Sequence, residues 1–297
     1  MNTIFILIPV HNRKKMTLRC IESLQRQTYG TIQIIVCDDG SSDGTADDIR
    51  AQYPHVVIVK GNGHLWWTKA TNKCLEYVLQ NCQDGDYVIT VNNDVTVSDI
   101  YVHSLLHCAY NNPDALIGSL NMGSDNTVIS GGILINWITA KFKYRGQGLT
   151  YGELMQLHSP VVEVDALAGR GTLIPVKVFK EIGLYNQKKL PHYGADYEFS
   201  IRAKKKGYRL VVNYNSVVTD IKEGKSELSR SREAGLKRMI TQLTLFQSPS
   251  NLYHRLRFTL LCCPKLLIPL FYVCDTLRVL LHAVRSSTTY LKSTDEE

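Results

Sequence analysis

The chain has 297 residues, 44% hydrophobic and 21% charged, a balance that suits a globular protein and excludes a disordered one. Its length accommodates one domain of about 200 to 250 residues with an appendage. A formal charge of +7, concentrated between Arg230 and Arg285, permits attraction to phosphates, nucleotides or an anionic membrane without choosing among them.

Thr3 to Val10 is a continuous apolar run of the kind a buried parallel strand requires. Helical spacing follows through Met16, Leu18, Ile21 and Leu24, then a strand over Ile32 to Cys37 and a short helix over Thr45 to Gln52. Val56 to Val59 predicts a third strand, Lys69 to Leu79 a helix, and Tyr87 to Val91 a fourth strand. Strands alternating with helices across short turns imply a doubly wound, mostly parallel α/β sheet. Beyond residue 113 the rhythm loosens, with strands expected at Ala115 to Leu120, Val128 to Ile135 and Gly171 to Pro175. Helices are expected at Lys177 to Ile182 and at Asp196 to Lys206, the second stopped by Gly207.

The tail differs in kind. Phe258 to Val284 is strongly apolar, but Pro264, Lys265, Pro269, Asp275 and Arg278 interrupt it. A spanning helix needs roughly 20 apolar residues, and a charge at its centre costs about 2.5 to 3.5 kcal/mol. Helices lying in the membrane interface with snorkelling cations are therefore expected, with helices packed on the main domain as the alternative. The eight cysteines form no CxxC pair, which argues against zinc and for buried free thiols in a reducing cytosol. Met1-Asn2-Thr3 leads straight into the first strand without a secretory pattern, so a cytoplasmic protein is expected.

Chemistry concentrates where strands end. Ile34-Ile35-Val36-Cys37 runs into Asp38-Asp39-Gly40-Ser41-Ser42-Asp43-Gly44-Thr45, and Tyr87 to Val91 runs into Asn92-Asn93-Asp94. In open α/β sheets ligands bind beyond the carboxyl ends of the strands. Clustered carboxylates repel unless a cation lies between them, so a polar ligand with Mg²⁺ or Mn²⁺ is expected, Asp94 being the direct ligand. Asp39 suits a base or ribose, while turn chemistry is enough for Asp38 and for Asp43. Pro9, His11, Asn12 and Arg13 close the first strand beside these acids and would share the nucleotide. The loop Gly61 to Asn72 carries Trp66 and Trp67, whose faces suit sugars or bases, and Asn72 is placed with the nucleotide contacts along with Asn93. Arg170, between two glycines, supplies fixed cationic donors for diphosphate or acceptor, and His192 precedes the Asp196 loop on the acceptor side.

The succession Ile8-Pro9-Val10-His11-Asn12-Arg13, Asp38 to Thr45, Asn92-Asn93-Asp94, Gly169-Arg170-Gly171-Thr172 and Tyr193-Gly194-Ala195-Asp196-Tyr197-Glu198 resembles glycosyltransferase family 2, with the GT-A fold, over roughly residues 3 to 222. The resemblance implies inverting transfer of a sugar from a nucleoside diphosphate. It matches Asp39 to the acid that binds the nucleobase, Asp94 to the metal-binding Asp, and Asp196 to the catalytic base. Two departures stand out: Asn92 replaces the first acid of the metal motif, as in rhamnosyltransferase-like members, and Ala195 replaces the Glu before the base. Asp220 occupies the approximate place of a residue that completes the metal site.

The resulting expectation is a GT-A domain over 1–225 and a helical, membrane-associated tail over 226–297. Its donor would be dTDP-rhamnose or a UDP-hexose, and its acceptor a saccharide or lipid-linked saccharide of bacterial surface polysaccharide synthesis. Work at the inner face of the cell membrane is expected, with no nucleic-acid partner. The rivals are a sugar nucleotidyltransferase, whose glycine-rich phosphate loop the first turn lacks, and a scaffold that keeps the fold without activity.

Overall fold

The computed structural model describes residues 2–221, 235–246 and 248–294. Its main sheet runs β10-β12-β6-β11-β4-β1-β2-β3. Strands β1 (Ile4–Val10), β2 (Ile32–Asp38), β3 (Val57–Lys60) and β4 (Tyr87–Thr90) are mutually parallel where they pair. β6 (Ala115–Met122) and β12 (Arg209–Asp220) form a second parallel pair, and β11 (Thr172–Pro175) joins the two sets antiparallel. On the outer side β12 also pairs antiparallel with β10 (Val161–Glu163) and β5 (Val95–Val97). The mixed α/β architecture and its mostly parallel central sheet agree with the pattern read from the sequence.

Alternation along the strands divides the core into two layers, because successive side chains on a strand point to opposite faces. Ile4, Ile6 and Ile8 of β1 pack with Ile34 and Val36 of β2 against Cys20, Ile21 and Leu24 of helix α1 (Lys14–Gln25). Phe5 and Leu7, with Ile35 and Cys37, face Cys74, Leu75 and Val78 of helix α3 (Trp66–Asn81) on the other side. β1 is thus covered on both faces, which explains why it reads as a continuous apolar run. All eight cysteines are free.

Two elements depart from expectation. Val128 to Ile135 is not one strand: Gly131 and Gly132 divide it into β7 (Val128–Ser130), paired with β6, and β8 (Ile133–Asn136), paired with β9 (Lys141–Tyr144). Gly132 has φ +117°, and a Cβ there would meet Val164 at 2.3 Å, so the chain turns where no other residue fits. The helix expected from Lys69 begins at Trp66 instead, and both tryptophans lie on it rather than in a loop.

The C-terminal region is helical, at Gly235–Thr244, Leu252–Cys262 and Ile268–Thr294. Among the described residues no helix is long and apolar enough to cross a membrane. One face packs on the main domain: Phe258, Cys262 and Phe271 are buried in the core layer that holds α3. Lys205 Nζ donates to the Cys262 carbonyl at 3.0 Å, and Arg257 reaches the carbonyls of Lys188 and Lys189. Asp275, 2% exposed, receives a bidentate ion pair from Arg255, so a charge that interrupts the apolar run is neutralised internally. Leu266, Leu270, Val273, Leu277 and Leu281 face outward. Packing on the domain and presenting an apolar surface are therefore compatible here. The junction expected at 225/226 and the cations Arg230 and Arg232 lie outside the described residues.

Candidate active site

Beyond the carboxyl ends of β1 and β2 the two turns interlock. Asp39 N donates to Val10 O at 2.8 Å, Ser42 N to Asn12 Oδ1 at 2.7 Å, and His11 Nδ1 lies 2.7 Å from Asp39 O. Asn12 adopts φ +50°, a left-handed conformation in which Asn is less costly than most residues. Pro9 stays in the β1 ladder, while His11, Asn12 and Arg13 are exposed at its end.

Asp39 is only 5% exposed, and its carboxylate is already engaged. Oδ1 accepts from Gly63 N at 2.8 Å, while Oδ2 accepts from Leu65 N at 2.8 Å and Trp66 N at 3.2 Å. It thus caps α3 from another strand, placing negative charge at the helix's positive end. Trp66 holds φ +57°, strain that this anchor sustains. A remaining lone pair is what Asp39 has to offer a base or ribose.

Two residues expected among the nucleotide contacts, Asn72 and Asn93, make hydrogen bonds within the protein. Asn72 is 2% exposed: Nδ2 donates to Tyr185 O and Gln187 Oε1, each at 2.9 Å, and Oδ1 accepts from Tyr185 N at 3.1 Å. Asn93, 7% exposed, turns inward to Thr17 Oγ1 at 3.0 Å. Asn72 ties α3 to the loop at Tyr185 and Gln187, and Asn93 ties its own loop to α1.

Asp94 and Asp220 come together because β5 pairs with β12 in a register that sets Asp220 beside Val95, with Ile221 N donating to Asp94 O at 2.8 Å. Arg170 lies between their side chains. Its Nη2 is 2.6 Å from Asp94 Oδ1 and its Nη1 2.7 Å from Asp220 Oδ1, while Arg13 Nη1 is 3.2 Å from Asp94 Oδ2. Asn92 stands apart from this group: its Oδ1 accepts from Trp67 Nε1 at 3.0 Å. Among the described residues no three His, Cys, Asp or Glu side chains are grouped to hold a metal. A pair of carboxylates completed by substrate phosphates and water is, however, a common Mg²⁺ or Mn²⁺ site, and Asp94 with Asp220 fits it by donor chemistry.

The neighbouring residue connects this group to Asp196, at the first turn of helix α7 (Ala195–Lys205). Gly169 N donates to Asp196 Oδ2 at 2.8 Å, and Tyr197 N to Oδ1 at 2.9 Å. Burial pushes the Asp196 carboxyl above its ordinary value against the pull of these two N–H groups. A Cβ on Gly169 would stand 2.2 Å from the Trp67 ring, so glycine is required there for Trp67 to reach Asn92. Nothing in the sequence marks Gly169 as a donor to Asp196 beyond the Gly-Arg-Gly triplet.

His192 and Trp66 belong to an aromatic cluster. The Trp66 ring lies 5.5 Å from His192 and 5.0 Å from Phe246. Burial, and then the nearby His254, lowers the His192 imidazole to about 4, so it is neutral at physiological pH.

The family model described as Glycosyl transferase family 2 matches residues 5–160, and that for Glycosyl transferase family group 2 matches residues 87–288. An uncharacterized glycosyltransferase of Rickettsia bellii is 29% identical over 188 residues, 61% of this chain and 25% of the relative. The chain therefore spans about a quarter of that relative's length. Among solved structures, GalNAc-T7 with UDP, GalNAc and Mn²⁺ matches with a TM-score of 0.58 at 19% identity, over 75% of this chain and 44% of that one. The mannosyltransferase from Pyrobaculum calidifontis in complex with GDP-Man and Mn²⁺ gives 0.58 at 11% identity, over 99% and 75%. These likenesses agree with the GT-A fold.

Proposed function

The chain belongs to glycosyltransferase family 2, and from that premise we propose that it is an inverting transferase that moves a sugar from a nucleoside diphosphate to a saccharide or lipid-linked acceptor. The observation that carries this reading is the segment Gly169-Arg170, which ties Asp196 to the Asp94 and Asp220 pair through adjacent residues. Proton removal and diphosphate handling would thereby lie at neighbouring points. Asp196 would take the proton from the acceptor hydroxyl, a role to which a raised carboxyl is suited. Asp39 and the turn Pro9 to Arg13 would hold the nucleoside, with Arg13 and Arg170 directed to the diphosphate. A divalent cation, Mg²⁺ or Mn²⁺, held by Asp94 and Asp220 would neutralise charge on the departing diphosphate.

The donor we favour is dTDP-rhamnose, with UDP-hexoses next, and the setting is bacterial surface polysaccharide synthesis at the inner face of the membrane. A panel of UDP, GDP and dTDP sugars tests the class directly. Release of free nucleoside diphosphate with sugar transferred or hydrolysed supports it, whereas pyrophosphate-dependent chemistry, or no turnover with any donor, overturns it. In a thermal-shift experiment, a nucleoside diphosphate with Mn²⁺ present at 100 times its dissociation constant is expected to stabilise the fold by about 2.7 kcal/mol.

We further propose that residues 1–225 form the GT-A domain and 226–297 a tail lying on an anionic membrane. Leu270, Val273, Leu277 and Leu281 follow helical spacing on one exposed face, with Lys265 and Arg278 beside them in the chain, a pattern suited to interfacial binding. Replacing Leu270 and Leu277 together by Ser is expected to weaken binding to phosphatidylglycerol vesicles at least about tenfold, since each buried Leu contributes roughly 1.5 to 3 kcal/mol. Equal vesicle binding by both proteins would remove the surface from consideration.

A further inference from the structure

We propose that Arg170 is a resident counter-ion that keeps Asp94 and Asp220 closed to metal until a nucleoside diphosphate draws it away, so that metal and nucleotide bind as a linked pair. The proposal rests on the reading of this site as a nucleotide-sugar site.

A divalent cation that approaches the ligand-free protein meets no excess negative charge there. Asp94 and Asp220 contribute two formal charges, and Arg13 and Arg170 offset both. The guanidinium also stands where the two carboxylates converge, bridging them through different nitrogens at 2.6 and 2.7 Å. Metal must displace it to bind both acids. Release of a guanidinium from two carboxylates is costly unless other oxygens receive it, and diphosphate oxygens match its planar fork. An exchange of partners follows: Arg170 passes from carboxylate to phosphate, and the carboxylates pass to metal.

The main chain is built to permit that swing without itself moving. Gly171 has φ +86°, and a Cβ there would meet Tyr101 Oη and a Val218 methyl at 2.8 Å. Gly169 is pressed under the Trp67 ring and holds Asp196 through its N–H. Motion is thus left to the side chain of residue 170. Its ion-paired state is also incomplete, because Arg170 Nε is buried without a hydrogen-bond partner. A permanent structural bridge would be expected to satisfy that donor.

Mn²⁺ binding to the full chain, read from the electron paramagnetic resonance of free Mn²⁺, tests the proposal in wild type and Arg170→Met, alone and with UDP, GDP or dTDP. Wild type should bind Mn²⁺ weakly alone and about 5- to 150-fold more tightly with its preferred nucleotide, the usual span of coupled sites. Arg170→Met should bind Mn²⁺ alone more tightly than wild type by a factor in that range, with a smaller gain from nucleotide. Equal Mn²⁺ affinity of the two proteins without nucleotide would overturn the proposal while leaving the functional reading intact. A wild type that binds neither Mn²⁺ nor any of the three nucleotides would overturn both. Should Arg170→Met fail to fold because two carboxylates are left facing each other, Arg170→Gln carries the same test. Its unfolding temperature should rise with Mn²⁺ alone more than that of wild type, and an equal rise counts against the proposal.

Discussion

Asp196→Asn is expected to lower transfer by a factor of about 10² to 10⁴, the usual contribution of a positioned general base, while leaving a folded protein. Only the ionised carboxylate accepts a proton, and burial raises this carboxyl. Activity should therefore fall as pH drops through a value above the ordinary carboxylate range of about 4. That acidic limb should be absent from the residual activity of the Asn variant. The stability term has the opposite sense. A carboxyl raised in the folded state binds its proton more tightly there, so its stabilisation is present at low pH and lost as pH rises through the folded value. At neutral pH the wild type carries a buried charge that Asn lacks, whereas Asn leaves the N–H of Gly169 or Tyr197 without its acceptor. The two effects offset, and unfolding temperatures should agree within about 4 °C. Near wild-type turnover would remove Asp196 as the base.

Most of this arrangement was legible in the sequence because a parallel sheet writes its strands as apolar runs and places functional acids just past them. Asp39 and Asp94 follow β2 and β4, the two strands that flank β1, for that reason. What escaped the sequence was set by partners distant in the chain. The start of α3 at Trp66 depends on a cap from Asp39, 27 residues away, so no local capping signal marks it. Asn72 and Asn93 resemble ligand-facing amides in composition, yet in the fold Asn72 bonds Tyr185 and Gln187, and the Asn93 Nδ2 bonds Thr17. The sequence points Arg170 to diphosphate or acceptor; its place between Asp94 and Asp220 follows only from the register of β5 on β12. A doublet of glycines divided one expected strand in two because the turn at Gly132 depends on how closely Val164 approaches.

The C-terminal helices supply the other large effect, on stability. Arg255→Leu is expected to cost about 3 to 5 kcal/mol of their docking free energy, the penalty for removing one partner of a buried ion pair. Asp275 is 2% exposed and accepts both of its ionic hydrogen bonds from Arg255, so the variant strands a carboxylate between helices. The charge cannot be left there at low cost, and the helix Ile268–Thr294 should separate from Leu252–Cys262 before the sheet unfolds. Hydrogen exchange would then accelerate in both helices while β1, β2 and β4 keep their protection. Pairing Arg255→Leu with Asp275→Leu removes the stranded charge and fills part of its volume, and should recover most of the loss. If the single variant exchanges at the wild-type rate, the pair does not hold the tail. If the double variant is as unstable as the single one, packing of Phe258 and Phe271 on the main domain depends on the ionic geometry itself rather than on neutralising Asp275.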